Sequence, residues 1–203
     1  MNIVKLSSRY IDEVVEVHMR SFPNFFLTFL GRRFLKCFYQ SFIEDEEGIG
    51  FVAIENGSVS GVIVGPLVPD GYFKRLLVRR WYIFALSSFT AVLKNPKIIF
   101  RLVRAVFYRG DAPENNNTLS LLSSIAVSPD TQGKGVGAGL LNRFLQDAEQ
   151  RGSEGCYLTT DREGNESVNR FYLKNGWLLD KRFETPEGRK MNRYVYYFGR
   201  SYE

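Results

Sequence analysis

The sequence predicts an α/β (α+β) chain, with strands and helices interleaved about a sheet, and three observations carry this reading. First, the apolar, β-rich run Leu119–Val127 passes through Ser128-Pro129-Asp130 and a glycine-rich turn into a helix-periodic segment. Second, apolar runs pair across turn signals twice: residues 51–55 and 58–64 across Asn56-Gly57, and 177–183 and 192–198 across Pro186-Glu187-Gly188. Third, four segments space their apolar residues as helices do, at 11–18, 32–43, 136–148 and 165–174.

In chain order, residues 3–6 read as a short strand. Ser7 or Ser8 can cap the helix that carries Ile11, Val14, Val15 and His18 on or near one face. Ser21-Phe22-Pro23-Asn24 breaks that helix. A second one follows Gly31, with Phe34, Leu35, Phe38 and Phe42 inward. Residues 44–47 form an acidic run suited to a solvated helix end or to holding a cationic substrate amine. The Asn56-Gly57 hairpin comes next.

Residues 66–117 depart from this pattern. Nine Lys or Arg and no Asp or Glu fall between Tyr72 and Arg109, with Trp81, Tyr82, Phe84 and Phe89 among them, and Asn95-Pro96 divides the stretch into two helices. The expected architecture is one domain over 1–203 with a basic helical insertion at about 66–117. That insertion serves as a packed hairpin, as a lid over an anionic acceptor, or as a surface resting on anionic lipid through residues 72–109. Asp111–Asn117 then leads back to the sheet.

The glycine-rich turn is built to hold phosphate. A helix start carries unpaired N–H groups and partial positive charge, and glycines let those groups converge on an anion. Lys134 adds a full charge. Glycine within a helix costs about 1 kcal/mol relative to alanine, so Gly133, Gly135, Gly137 and Gly139 at one helix opening need a reason. A P-loop is excluded, because Gly135 follows Lys134 and Ser128 stands where that loop's first glycine belongs. Gly133-x-Gly135-x-x-Ala138 meets a bare dinucleotide pattern. However, five residues separate it from Val127, and no run of βαβ units follows.

Gln132-x-x-Gly135-x-Gly137 with Leu140-Leu141 behind it, preceded by Ile125-Ala126-Val127-Ser128-Pro129, resembles the acyl-CoA-binding motif of the GNAT superfamily of N-acetyltransferases. Asn165, then Tyr172 and Gly176-Trp177, is similar to that family's second signature. The resemblance is sharp over 119–178. It implies a mixed, mostly antiparallel twisted sheet flanked by helices. It also implies acetyl-CoA as cosubstrate, with its pyrophosphate on Gln132, Gly133, Lys134, Gly135, Val136, Gly137 and Ala138. The pantetheine arm is then expected along Ile125, Ala126 and Val127 and touching Asn165, with Tyr172 facing the thiol. Asn165 also suits an N-cap. The implied reaction is transfer of an acetyl group to a primary amine of a small acceptor, the basic insertion favouring an anionic amino sugar that is nucleotide- or lipid-linked. For the base, Asp161, His18 and a water relay all stay open. The alternative is a non-catalytic CoA-binding or membrane-surface module on the same fold.

Composition bounds the rest. With 44% apolar and 15% aromatic residues the chain can build a full core. A net charge of +5 suits an anionic ligand without marking a dedicated nucleic-acid binder, so no nucleic acid is expected. Cys37 and Cys156 have no metal-ligand spacing, so no metal is expected either. The first residues lack a long apolar region and no run reaches bilayer length, which predicts a cytoplasmic protein.

Overall fold

A computed structural model describes residues 1–76, 78, 113, 118–186 and 188–199. Strand β1 (Asn2–Lys5) leads into helix α1 (Ile11–Ser21), a single turn α2 (Phe26–Phe29) and helix α3 (Arg32–Glu44). Strands β2 (Gly48–Glu55) and β3 (Ser58–Pro66) form the expected hairpin. Asn56 and Gly57 both adopt positive φ, 51° and 80°, as a two-residue hairpin turn requires. After β4 (Leu119–Leu121) and β5 (Ser124–Val127) come helix α4 (Val136–Gln150), β6 (Gly155–Asp161), helix α5 (Glu166–Lys174), β7 (Leu178–Glu184) and β8 (Lys190–Tyr197).

The strands form two four-stranded sheets, ordered β1-β2-β3-β5 and β4-β6-β8-β7. Every pairing is antiparallel except β4 with β6. The apolar run that reads as one strand to Val127 is thus two strands, each belonging to a different sheet.

Two apolar layers hold the first sheet. Val14, Val15, Leu35, Phe38 and Phe42 of α1 and α3 pack on the face carrying Val52, Val62, Val64 and Ala126. Leu140, Leu141, Phe144 and Ala148 of α4 pack on the opposite face against Phe51, Ala53 and Ile63. This two-sided cover explains why β2 and β3 are buried almost without alternation. Burying one such side chain contributes about 1.5–3 kcal/mol. The spacing rules hold: the α4 residues Val136, Leu140, Leu141, Phe144, Leu145 and Ala148 are all buried.

Two capping expectations differ from the structure. Ser7 precedes a 3-10 turn over Ser8–Tyr10 and caps nothing with its side chain. Asn165 stands at the N-cap of α5, but its side chain does not bond the helix. Of the basic insertion, only residues 66–76, 78 and 113 are described. There Tyr72 is buried, stacks on Phe42 at 5.5 Å and donates its hydroxyl to the Ser41 carbonyl at 3.3 Å. The rest of the insertion, and the two helices and lipid-facing surface expected of it, lie outside the described residues.

Candidate functional site

The site begins where one strand changes partners. Leu119–Leu121 pairs in parallel with Gly155–Tyr157, and the Leu122 N–H still donates to the Tyr157 carbonyl at 3.0 Å. One residue on, the Ser123 N–H donates instead to the Val64 carbonyl at 3.0 Å. From Ser124 the chain runs antiparallel to β3 while β6 continues beside β8, so the two sheets part. Gly65 sits at the crossing. A Cβ there would lie 1.8 Å from the Leu121 carbonyl oxygen, so only glycine lets β3 and β4 approach this closely.

The divergence leaves a cleft with open strand edges. Ser124, Ala126 and Ser128 face Val64, Val62 and Ser60, and the Ser128 N–H donates to the Ser60 carbonyl at 2.8 Å. Antiparallel bonding alternates by residue, so Ser124 and Ala126 spend their amides on β3 while those of Ile125 and Val127 point into the cleft. Ala126 therefore differs from its neighbours: its methyl is buried under α1 and α3, and its backbone serves the sheet. Three tethers fix this edge to its surroundings. The Val127 carbonyl accepts from the Ser21 hydroxyl at 2.9 Å and from Gln132 Nε2 at 3.3 Å. Arg20 at the end of α1 pairs with Asp130 at 2.8 Å.

The strand passes through a 3-10 turn, Pro129–Thr131, into an amide cradle. Gly133 and Gly135 have φ of 79° and 84°, and a Cβ at either would meet nothing within 4 Å. These glycines are required by backbone conformation rather than by space. Gly135 is the N-cap, and the first helical bond runs from the Gly139 N–H to the Gly135 carbonyl at 3.0 Å. The N–H groups of Val136, Gly137 and Ala138 therefore have no partner within the helix and point out of its positive end. The exposed Lys134 lies beside them, its ammonium donating to the Asp130 carbonyl at 3.1 Å.

Helix α5 covers the far side. Phe171 lies 3.4 Å from where a Gly137 Cβ would be, which seats α5 against the first turn of α4. Tyr172, next along, is 4% exposed within the cluster that includes Leu158 and Cys156, with Trp177 and Tyr194 rings at 5.7 and 5.8 Å. Burial raises its phenol well above the ordinary range, so the hydroxyl keeps its proton. Asn165 Nδ2 donates to Thr160 Oγ1 at 2.8 Å and to the Asp161 carbonyl at 3.1 Å, tying α5 to the free end of β6. Asn169 adds a second tie to that carbonyl at 3.0 Å, and its Oδ1 accepts from Asn192 and from the Tyr194 hydroxyl.

The candidate bases separate. Asp161 is clasped by Arg189 through contacts of 2.7–3.1 Å, an ion pair that occupies both carboxylate oxygens. His18 is fully buried, and its Nδ1 lies 2.7 Å from the Tyr39 hydroxyl. Burial lowers its pKa from 6.5 to about 4, so the imidazole is neutral near neutrality. Sequence reasoning passed over Tyr39. Its position four residues after Leu35, on the inward face of α3, was the signal that places a phenol in the interior.

A splayed strand feeding a glycine-opened helix, with a tyrosine-bearing helix across it, defines the GNAT fold. Residues 101–177 match the family model described as Acetyltransferase (GNAT) family. That stretch, rather more than a third of the chain, is similar to the family's acetyltransferase domain.

Solved structures of similar fold include the ribosomal-protein-S18-alanine N-acetyltransferase from Escherichia coli (16% identity, 100% of this chain and 96% of that one, TM-score 0.58). The ribosomal-protein-alanine N-acetyltransferase from Brucella melitensis is another (12% identity, 98% and 100%, TM-score 0.65). A third is an aminoglycoside 6'-N-acetyltransferase complexed with coenzyme A (12% identity, 100% of both chains, TM-score 0.63). At these identities the likeness is one of fold. No curated protein matches the chain by sequence. Among the described residues no group of side chains suits a metal ion, and no helix is long and apolar enough to cross a membrane.

Proposed function

We propose that this protein transfers an acetyl group from acetyl-CoA to a primary amine of a small acceptor. One observation carries the reading: the cleft-facing amides of Ile125 and Val127 are followed, across the Pro129–Thr131 turn, by the unpartnered amides of Val136, Gly137 and Ala138. An amide-bearing arm ending in a pyrophosphate matches that line, with strand-edge bonding along β5 and an anion on the helix start. The residues fit the cofactor, and Gln132, Gly133, Lys134 and Gly135 complete its anion end. Asn165 holds the opposite wall. The cosubstrate supplies an activated thioester; the chain supplies geometry and hydrogen bonds.

The reaction forms an N–C bond, breaks a C–S bond, and moves one proton from the amine toward the departing sulfur. The Ile125 N–H, first cleft-facing amide past the splay, donates to the carbonyl oxygen as it gains charge. The Tyr172 hydroxyl, kept protonated by burial, donates to the leaving sulfur. With Asp161 held by Arg189, no carboxylate among the described residues is assigned the base, and the amine reacts from its neutral fraction. The nine basic residues of the insertion support an anionic acceptor such as a phosphorylated amino sugar.

Titrating the purified chain with acetyl-CoA tests this, followed by release of free thiol in the presence of glucosamine 6-phosphate, an aminoglycoside or an alanine-initiated peptide. A ligand at a hundred times its Kd stabilises the fold by about 2.7 kcal/mol. Stabilisation with thiol release that depends on the amine is the expected result. Stabilisation without transfer to any amine selects the non-catalytic CoA-binding module, and no stabilisation overturns the reading.

A further inference from the structure

The polar interior under α1 and α3 holds a chain of three side chains from three elements. His18 Nδ1 of α1 is 2.7 Å from the Tyr39 hydroxyl of α3, and that hydroxyl is 3.5 Å from Ser124 Oγ of β5. His18 and Tyr39 are both 0% exposed, whereas Ser124 is half-buried at the point where the sheets part. Rings close the inner end, with Phe22 and Phe25 at 5.1 and 6.3 Å from the imidazole and Phe38 at 5.3 Å from Tyr39. His18 Nε2 is buried there without a partner among the described residues.

Burying a polar group costs free energy unless it is hydrogen-bonded. A histidine placed in an apolar layer where Leu or Phe would pack therefore needs a return. A phenol is the better hydrogen-bond donor and a neutral imidazole nitrogen the better acceptor, which favours Tyr39 as donor to Nδ1 with the imidazole proton on Nε2. The phenol oxygen then has its lone pairs turned toward Ser124, whose hydroxyl donates to it. That leaves the Ser124 oxygen lone pairs free to accept, next along the chain to the cleft-facing N–H of Ile125.

We propose that His18 and Tyr39 are positioning residues that fix the Ser124 hydroxyl as an acceptor for an N–H of the attacking amine. This rests on the acetyltransferase reading and extends it to the acceptor side of the same cleft. The bond from the amine N–H to Ser124 aims the nitrogen lone pair at the carbonyl held by Ile125. The chain carries no charge, so it receives the amine in neutral form and takes no proton. A neutral acceptor suits amines that lose their proton easily. An α-amine, with a pKa of about 7.7–8.0, offers far more neutral fraction near pH 7.5 than an alkyl amine at about 10.4.

His18 is the only histidine of the chain, so the imidazole nitrogen spectrum of untagged, histidine-labelled protein is a single pair of signals. Without ligand, those signals should show the neutral form protonated on Nε2, and Tyr39→Phe should shift Nδ1. Acetyl-CoA, which brings the acyl carbonyl beside Ser124, should shift Nδ1 where CoA alone does not. Ser124→Ala should abolish that difference and Ser124→Thr restore it. In transfer to an alanine-initiated peptide or to propylamine at high concentration, Tyr39→Phe and Ser124→Ala should each lower the rate at least tenfold. The double variant should be no slower than the slower single one, with acetyl-CoA affinity unchanged throughout. If acetyl-CoA binds yet leaves the His18 signals where CoA leaves them, or if the two losses add, the positioning role is wrong while the acetyltransferase reading stands. If acetyl-CoA does not bind at all, the reading beneath the proposal fails first.

Discussion

The burial of His18 makes a quantitative prediction about acid stability that needs no ligand. In the unfolded chain its imidazole titrates near 6.5; in the folded chain burial holds it to about 4. Between these values the unfolded state binds a proton that the folded state refuses. A folded pKa below the unfolded one makes this contribution complete above pH 6.5 and erodes it as pH falls toward 4. The 2.5-unit gap corresponds to about 3 kcal/mol in all, with a slope of about 1.2 kcal/mol per pH unit near pH 5. Because the side chain is fully buried, solvent does not screen this value away.

The assay is denaturant unfolding of wild type and His18→Gln at several pH values from 4 to 7.5. Carboxylates also titrate at the lower end, but they do so in both proteins, so the difference between the two curves isolates the imidazole. His18→Gln loses stability at pH 7.5 through the lost packing and the bond to Tyr39. Its deficit should then shrink as the pH falls, approaching or crossing wild type near pH 4. Tyr39→Phe gives an internal control. The shift comes from desolvation, so this variant should keep most of the wild-type slope, flattened by loss of the donor that favours the neutral imidazole, and its stability loss should be larger at pH 7.5 than near pH 4. Parallel curves for wild type and His18→Gln from pH 4 to 6.5 would refute the reasoning, because the imidazole would then be solvated in solution.

Other perturbations separate conformation, space and chemistry. Gly135→Ala forces a left-handed N-cap on a residue with a Cβ, which should cost about 1–2 kcal/mol and weaken acetyl-CoA binding, both read by thermal shift. Gly137→Ala has helical φ and only an ordinary 3.4 Å contact with Phe171, so it should fold as stably as wild type or slightly more so. Gly65→Ala places a methyl 1.8 Å from the Leu121 carbonyl oxygen and should cost about 3 kcal/mol or more, seen as loss of soluble folded protein or a collapsed denaturation midpoint. Tyr172→Phe keeps the ring contacts with Trp177 and Tyr194, and the hydroxyl has no bond among the described residues. Stability should be preserved while amine-dependent thiol release falls ten- to a hundredfold; unchanged turnover would remove the proton-donor role.

What the sequence made legible follows from how local each signal is. The helix faces, the Asn56-Gly57 turn and the glycines opening α4 are set by side-chain periodicity or by φ, and a short window shows them. The division of Leu119–Val127 between two sheets is not local. Nothing in those nine residues marks Leu122–Ser123 as the switch, because it depends on which strand offers the next carbonyl, Tyr157 or Val64. The same reason separates Ala126 from Ile125 and Val127: three neighbouring apolar residues read alike until the register assigns alternate amides to β3. Asp161 shows the limit for chemistry. A carboxylate at a strand end is a reasonable base until Arg189, 28 residues away, closes on it. His18 shows the converse, since a lone histidine on an apolar face reads as packing until Tyr39 and Ser124 arrive from α3 and β5. The proposed cofactor side of this cleft is written in contiguous sequence. The proposed acceptor side is assembled from α1, α3 and β5, whose side chains meet only when those three are brought together.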